Sequence, residues 1–584
     1  MLRWLSPTVF AGVVMVAAGP ALAIDYMDSQ PLTQIVDPTV QDCAGGKTLK
    51  VPVIAWGGDI ATSLANGNAR RTAPGSLFGK AGLDVELYRQ DDFAAQVNDF
   101  LACRTPFLRG TMGMINMAAE AAAKDPRTAL TVVAQLTWSA GGDALVVKEG
   151  IKTPADLKGK TIAVQAYGPH VDYLTRVLGD AGLNLSDVTI KWVKDLIEID
   201  ETSSSPAMAF LADSGVDAAF VIIPDALALT SGGTVGTGSE DSVRGARILL
   251  STKTANRVIA DVYAVRTDYF EANKAQVGTF VKGLLDGQKH LVDLVKNHAG
   301  KEAEYQDVMA SAAELLLDSR SAVEDVAAMY GDAEFVGLPG NVKFFAEPGY
   351  PRNFAALTAE VQAAFSQLSL MGGTVPLAVG NWDYATFGPG GQPGTNLAET
   401  PRFDSTEVNK LVLKRQQQNA LSEGELFNFE IYFAPNQNSF SSDEYQEAFD
   451  KAIALASTYG GALLTIEGHS DPLGYLRQKK GAANKLVLQQ VKQAAKNLSF
   501  TRANAVKDSI IAYGASKGVT LDPSQFGIVG WGVMQPNTPK CTFDGQGDID
   551  LSCAPATQAE WDATRRVVFR IIQIEAESAV FKPL

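Results

Sequence analysis

The chain has 584 residues, 46% of them hydrophobic and 20% charged. That length excludes a single small module, and that composition excludes a wholly disordered or collagen-like protein. Lys and Arg number 50 against 65 Asp and Glu, a net charge of −15, which argues against a broad electrostatic grip on nucleic acid or anionic lipid.

The first residues place Arg3 before an apolar run over 9–18 and then Ala21-Leu22-Ala23. This is the charged, apolar, small-x-small order of a secretory signal peptide over 1–23, with a mature chain expected from Ile24. The apolar run is about half of the ~20 residues a bilayer span requires. No cysteine follows the cleavage point to accept a lipid, so the mature chain is expected free in the periplasm, after an N-terminal segment over 24–46. Four cysteines suit an oxidising compartment and allow three pairings. The local one, Cys541 with Cys553, closes a short Gly/Asp-rich loop and leaves Cys43 for Cys103. The four histidines form no ligand cluster with these cysteines, so no metal and no cofactor is expected.

Over 47–387, short β-branched runs alternate with amphipathic stretches, the pattern of an α/β sheet with helices on its faces. Strands are predicted at 50–56, 130–135, 144–148, 161–165, 188–193, 218–223 and 262–266. A long helix is predicted at 274–297, with Val277, Phe280, Val281, Leu284 and Leu285 spaced for one buried face. Within this region Gly142-Asp143-Ala144-Leu145-Val146-Val147 is followed by Ile151-Lys152-Thr153-Pro154-Ala155-Asp156-Leu157-Lys158-Gly159-Lys160-Thr161. The segment resembles the periplasmic solute-binding proteins of the nitrate, sulfonate, taurine and thiamine-precursor type, in which a strand crosses between lobes and Asp-Leu-Lys-Gly-Lys precedes the first strand of lobe two. The resemblance covers about 48–350. It implies a two-lobed α/β domain, with lobe two over about 148–250, that closes on a small solute for ABC-type uptake through an inner-membrane permease.

In such a fold the binding groups lie on loops at the carboxyl ends of strands. Here those loops present Trp56, Asp59, Asn116, Trp138, Asp143, Tyr167, His170 and Asp225 as candidate ligand-binding residues. Oxyanion-binding relatives offer free N–H groups at the helix start after the strand ending near Val164. Pro169 contributes none, which points away from sulfonate or nitrate. The aromatic residues with Asp59, Asp143 and Asp172 suit a partly aromatic, cationic or zwitterionic solute instead. No nucleophilic elbow, Ser/His/Asp arrangement or phosphate loop is present, so no catalytic residue is assigned and the chain is read as a non-enzyme.

Gly388-Pro389-Gly390-Gly391-Gln392-Pro393-Gly394 breaks regular structure and opens a linker over 388–425 that is expected to space two independently folded parts. A compact βαβαβ sequence follows over 426–584. It carries Gly468-His469-Ser470-Asp471, Leu498-Ser499-Phe500-Thr501-Arg502-Ala503, Gly530-Trp531-Gly532 with Pro536, and Thr564-Arg565-Arg566-Val567 in that order. These resemble the outer-membrane-protein-A-like (OmpA-like) peptidoglycan-binding domain, an α+β fold. The resemblance implies that Asp471 and Arg502 hold the zwitterionic end of diaminopimelate in the stem peptide, the carboxylate on the ammonium and the guanidinium forked onto the carboxylate. It also fits the disulfide Cys541–Cys553, since some relatives carry one in that loop. Two departures stand out: Thr564 replaces the family Asn, and 479–497 reads as an inserted Lys/Gln-rich helix that widens the spacing from Asp471 to Arg502.

The expected function is therefore a periplasmic solute receptor tethered without covalent bonds to peptidoglycan. The alternative is a wall-anchored sensor or scaffold whose front half binds a protein partner.

Overall fold

The computed structural model describes residues 24–43, 48–198, 202–239, 241–388, 403–434, 445–538, 540–545 and 547–573. The signal segment, most of the Gly/Pro stretch and the expected helix start at Ser442-Asp443-Glu444 lie outside the described residues.

The front unit is built on two sheets joined by two crossing segments. In the first, Ala333–Phe335, Leu130–Ser139, Ala260–Arg266 and Phe107–Thr111 lie side by side and Ala378–Val379 pairs with Leu130–Ser139; Leu49–Val53 and Val85–Arg89 form a separate two-stranded parallel sheet in the same lobe. Every residue of Leu130–Ser139 is buried, as expected of a central strand covered on both faces. The second, six-stranded sheet runs Tyr26–Met27, Thr189–Val193, Thr161–Gln165, Ala218–Ile222, Asp143–Val147 and Arg247–Ser251. The chain passes from the first sheet to the second through 140–142 and returns through 252–259. Lobe two thus begins at Asp143 and recruits Tyr26–Met27 from the N-terminal segment as an edge strand.

Helix starts at the inner ends of these strands are fixed by local chemistry. The Thr111 hydroxyl accepts from Met114 N–H at the head of Met112–Ala122, and Ser205 does the same for Pro206–Ala212, where Pro206 pre-sets the first turn. The expected helix at 274–297 is the C-terminal part of Thr267–Lys296, which bends at Asn273.

The rear unit has a four-stranded sheet in the order Glu425–Tyr432, Arg566–Ile572, Leu463–His469, Phe526–Gly532. Only the last pair is parallel. Gln446–Thr458 and Lys485–Ser516 contribute Phe449, Ile453, Ala503, Val506 and Ile510 to its main core. Ser405–Gln417, from the expected linker, is a helix that packs Val408 and Val412 near Leu463, Val529 and Ile572. The inserted segment is not a separate helix: it is the N-terminal half of the 32-residue helix Lys485–Ser516. Both disulfides, Cys43–Cys103 and Cys541–Cys553, are formed. Among the described residues no helix is long and apolar enough to cross a membrane.

The rear unit is not held away from the front one. Arg257 N–H donates to Thr458 O, and the Tyr459 hydroxyl donates to Asp180 at 2.9 Å.

Candidate functional site

The two lobes meet along a seam lined by loops at strand ends. From lobe one come Trp56, the start of Met112–Ala122 and Asp332. The crossing segments bring Ser139, Gly141, Gly142 and Thr252, and lobe two brings Asp143, His170, Asp172 and Asp225. Thr252 ties the two crossings together: its hydroxyl accepts from Gly141 N–H at 3.1 Å and Asp143 N–H at 3.0 Å, and lies 3.0 Å from Ser139 Oγ. Trp56 lies across Gly142, where a Cβ would come within 2.5 Å of the indole, so only glycine admits the ring that close.

Asp143 is the centre of a buried polar cluster. Its Oδ2 accepts from Ser139 Oγ at 2.5 Å and its Oδ1 lies 2.7 Å from His170 Nε2. The carboxylate sits between the hydroxyl and the imidazole. Ser139 is therefore not hydrogen-bonded to His170, the contact that would activate a serine nucleophile. His170 Nδ1, Tyr173 Oη and Asp225 Oδ2 are buried with no hydrogen-bond partner among the described residues, a concentration of unsatisfied polar atoms at one place in the fold.

Burial lifts three carboxyls around this seam. Asp172 rises to about 8, with Gly113 N–H, Tyr173 N–H and the Arg352 charge pulling the other way. Asp225 rises to about 6 against the pull of His170. Asp332 also rises to about 6, with Lys253 opposing and Asp143 adding to the effect.

The remaining expected ligand residues have other partners. Asp59 is fully buried in an ion triad: Arg109 reaches its Oδ2 at 3.0 Å and Asp261 Oδ1 at 2.8 Å. Burial raises the Asp59 carboxyl to about 6 despite the guanidinium beside it. Asp59 is thus committed to Arg109 inside lobe one. The triad reaches the seam indirectly, since Asp261 accepts from Thr137 Oγ1 at 3.0 Å, and Thr137 Oγ1 accepts from Trp56 Nε1 at 3.1 Å. Asn116 is buried between Met112 O and Gln362. Trp138 packs edge-on to Phe344, with Arg257 5.9 Å from its ring. Tyr167 donates to Gln30 O at 2.8 Å. Trp56, Asp143, His170 and Asp225 are brought together at the seam. Asp332 was not singled out from sequence.

In the rear unit Asp471 follows the strand Leu463–His469, and Arg502 lies midway along Lys485–Ser516. Although 31 positions apart, they sense each other: burial lowers the Arg502 pKa while the Asp471 charge raises it. Asp471 Oδ1 accepts from Leu473 N–H at 2.8 Å, and its Oδ2 lies 3.9 Å from Arg565 Nη1. Arg502 stands 5.7 Å from the Phe433 ring, and Arg565 donates to Phe433 O at 3.2 Å. One carboxylate thus faces two guanidiniums. Arg565, quoted in the sequence motif but not assigned a role there, belongs to this cluster. His469 is buried and its pKa is driven well below the ordinary histidine value by desolvation and by Arg566 and Arg570, so it remains neutral.

No curated protein sequence matches the chain. Among solved structures it is similar to the periplasmic aliphatic sulphonate binding protein SsuA from Escherichia coli, at 18% identity and a TM-score of 0.39, over 57% of this chain and 90% of that one. It is also similar to the alkanesulfonate-binding protein SsuA from Xanthomonas axonopodis pv. citri bound to MOPS, at 17% identity and a TM-score of 0.38, over 57% and 99%. The desulfurization enzyme DSZB is similar at 16% identity and a TM-score of 0.35, over 56% and 94%. The family model described as NMT1/THI5 like matches residues 76–294, a span that takes in both crossings and all of lobe two except its Tyr26–Met27 edge strand. The two sheets and two crossings make the front unit a two-lobed α/β unit, and the matched span runs across both crossings.

Proposed function

We propose that the front unit is a periplasmic receptor that captures a small cationic or zwitterionic solute in the seam between its lobes, for delivery to an inner-membrane permease. The observation that carries this reading is the acidic lining of the seam: Asp225 beside His170, Asp332 beside Asp143, and Asp172 across the seam against Gly113, all three raised by burial. An ammonium placed among them would recover charge–charge attraction that the empty arrangement forgoes, and Trp56 would supply an aromatic face for it. A sulfonate or nitrate would meet repulsion there.

The rear unit, in this reading, is an OmpA-like domain that binds peptidoglycan. Asp471 takes the ammonium of diaminopimelate, and Arg502 with Arg565 takes its carboxylate. Opposed charges on one small surface select a zwitterion better than either charge alone.

Thermal shift of the full-length protein against organic amines, amino acids and sulfonates tests the solute half. Stabilisation by an amine that is lost in Asp225→Asn and Asp332→Asn supports it; stabilisation by sulfonates alone overturns it. Co-sedimentation with sacculi tests the wall half. The sensor or scaffold reading is favoured by one observation, the direct packing of the rear unit on a crossing segment of the front one.

A further inference from the structure

The return crossing, 252–259, is covered by a corner of the rear unit over 458–462. Gly461 N–H donates to Thr254 O at 3.1 Å, and Arg257 N–H donates to Thr458 O at 3.2 Å. The approach is as close as a backbone permits: a Cβ on Gly461 would fall 1.8 Å from Lys253 O, and one on Gly460 would fall 2.9 Å from Asn256 Oδ1. The shape of the corner is set within the rear unit, because Gln525 Nε2 donates to both Tyr459 O and Ala462 O.

The same corner touches lobe two. Tyr459 is fully buried, and its hydroxyl donates to Asp180 Oδ2 at the end of the helix Val171–Asp180. Asp180 is held by Arg176 at 2.7 Å, Arg176 also pairs with Glu360 at 2.9 Å, and Glu360 pairs with Arg352 at 2.8 Å. Arg352 Nε then donates to Arg257 O at 2.9 Å, in the crossing itself. Glu360 lies on Phe354–Gln367, whose Gln362 bonds Asn116 of lobe one. A partly buried chain of ion pairs and hydrogen bonds therefore joins the rear unit, the crossing and lobe two, and the helix Phe354–Gln367 carries it on to lobe one.

We propose that the 458–462 corner is a hinge clamp through which the rear unit sets the relative position of the two lobes. Lobe motion in such a fold is absorbed by dihedral changes in the crossing segments. One of the two crossings here is hydrogen-bonded to another folded unit. Opening the lobes must break those bonds or drag the rear unit with them. By linkage, a ligand that favours one lobe setting and a ligand that shifts the rear unit alter each other's affinity by the same factor. This last consequence rests on the receptor reading above; the clamp itself does not.

The test uses the full-length chain without solute, with spin labels carried on noncanonical residues at Lys301 in lobe one and Ser214 in lobe two, both exposed. Pulsed electron resonance on the parent chain should give one narrow interlobe distance. Gly461→Val, which cannot fit against Lys253 O, should broaden and shift that distribution, while the amides of residue 461 and of Arg257 exchange at least ten-fold faster. Asp180→Lys attacks the same contact from lobe two and should act alike. Should Gly461→Val not fold, Tyr459→Phe removes only the side-chain bond to Asp180 and should give a smaller shift of the same sign. An unchanged interlobe distribution in variants that have lost protection at Arg257 overturns the clamp, and so does full retention of that protection in folded Gly461→Val. Failure to find any solute would sink the receptor reading and leave this result standing.

Discussion

Asp172 in lobe two faces the amide of Gly113 in lobe one, at the first turn of Met112–Ala122: a Cβ on Gly113 would meet its carboxylate at 3.0 Å. The acid closes the seam from one side onto the other, where a helix start favours negative charge. Burial nevertheless holds its pKa at about 8, so in the neutral range the folded protein carries a proton that the unfolded chain has released.

That relation fixes a pH dependence. With the folded pKa above the unfolded value of 3.8, the proton stabilises the fold fully below the unfolded pKa. That contribution is lost as pH rises through about 8. Asp172→Asn stays neutral throughout. Its stability advantage over the parent should grow with pH across that window, by as much as about 6 kcal/mol at ~1.4 kcal/mol per unit. Urea titrations at several pH values check this; an advantage independent of pH contradicts it.

Removing Arg109 from the Asp59–Arg109–Asp261 triad leaves two buried acids without a counter-charge. Arg109→Met should destabilise the chain by about 3–5 kcal/mol. Asp59→Ala leaves Arg109 paired with Asp261 and should destabilise it less, through the lost hydrogen bonds of a buried guanidinium, so any loss of solute binding it causes should track unfolding rather than affinity. Chemical denaturation paired with binding at a temperature where each variant remains folded distinguishes the two.

For the rear cluster, Asp471→Ala, Arg502→Ala and Arg565→Ala should each reduce sacculus co-sedimentation by roughly ten-fold or more, the scale of a charge-assisted pair of about 1.5–3 kcal/mol. Arg502→Lys should not restore it fully, because an ammonium lacks the planar fork. Undiminished sedimentation of all three would remove peptidoglycan from the account.

The disulfide Cys541–Cys553 spans a separation of 12 residues. Replacing both cysteines by serine should cost about 3 kcal/mol, the chain-entropy expectation for a loop of that size. The effect should appear in the melting of the rear unit, and addition of a reductant to the parent should reproduce it.

The legible parts of the sequence were those where pattern and burial agree. Leu130–Ser139 is apolar and β-branched over most of its length, and it is the central strand. Phe107–Thr111 went unread because Arg109 and Gly110 interrupt it. The reason for a charge there is tertiary, with partners 50 and 152 positions away. The expected helix end near 497 is absent: the Ser499 hydroxyl donates back to Lys496 O at 2.8 Å inside the unbroken helix Lys485–Ser516. Asp332 carries no motif; only its helix end and the crossing glycines bring it to the seam. Asp471 and Arg502 were found because a family pattern names them, and the extra residues between them lengthen a helix rather than drive the charges apart.

The most direct test of the central claim is mass spectrometry under non-denaturing conditions of the full-length protein isolated from its native host, beside Asp225→Asn isolated in the same way. The account predicts a bound small molecule bearing an ammonium or other cationic centre on the parent and its loss from the variant. An anionic solute retained by both proteins would contradict it.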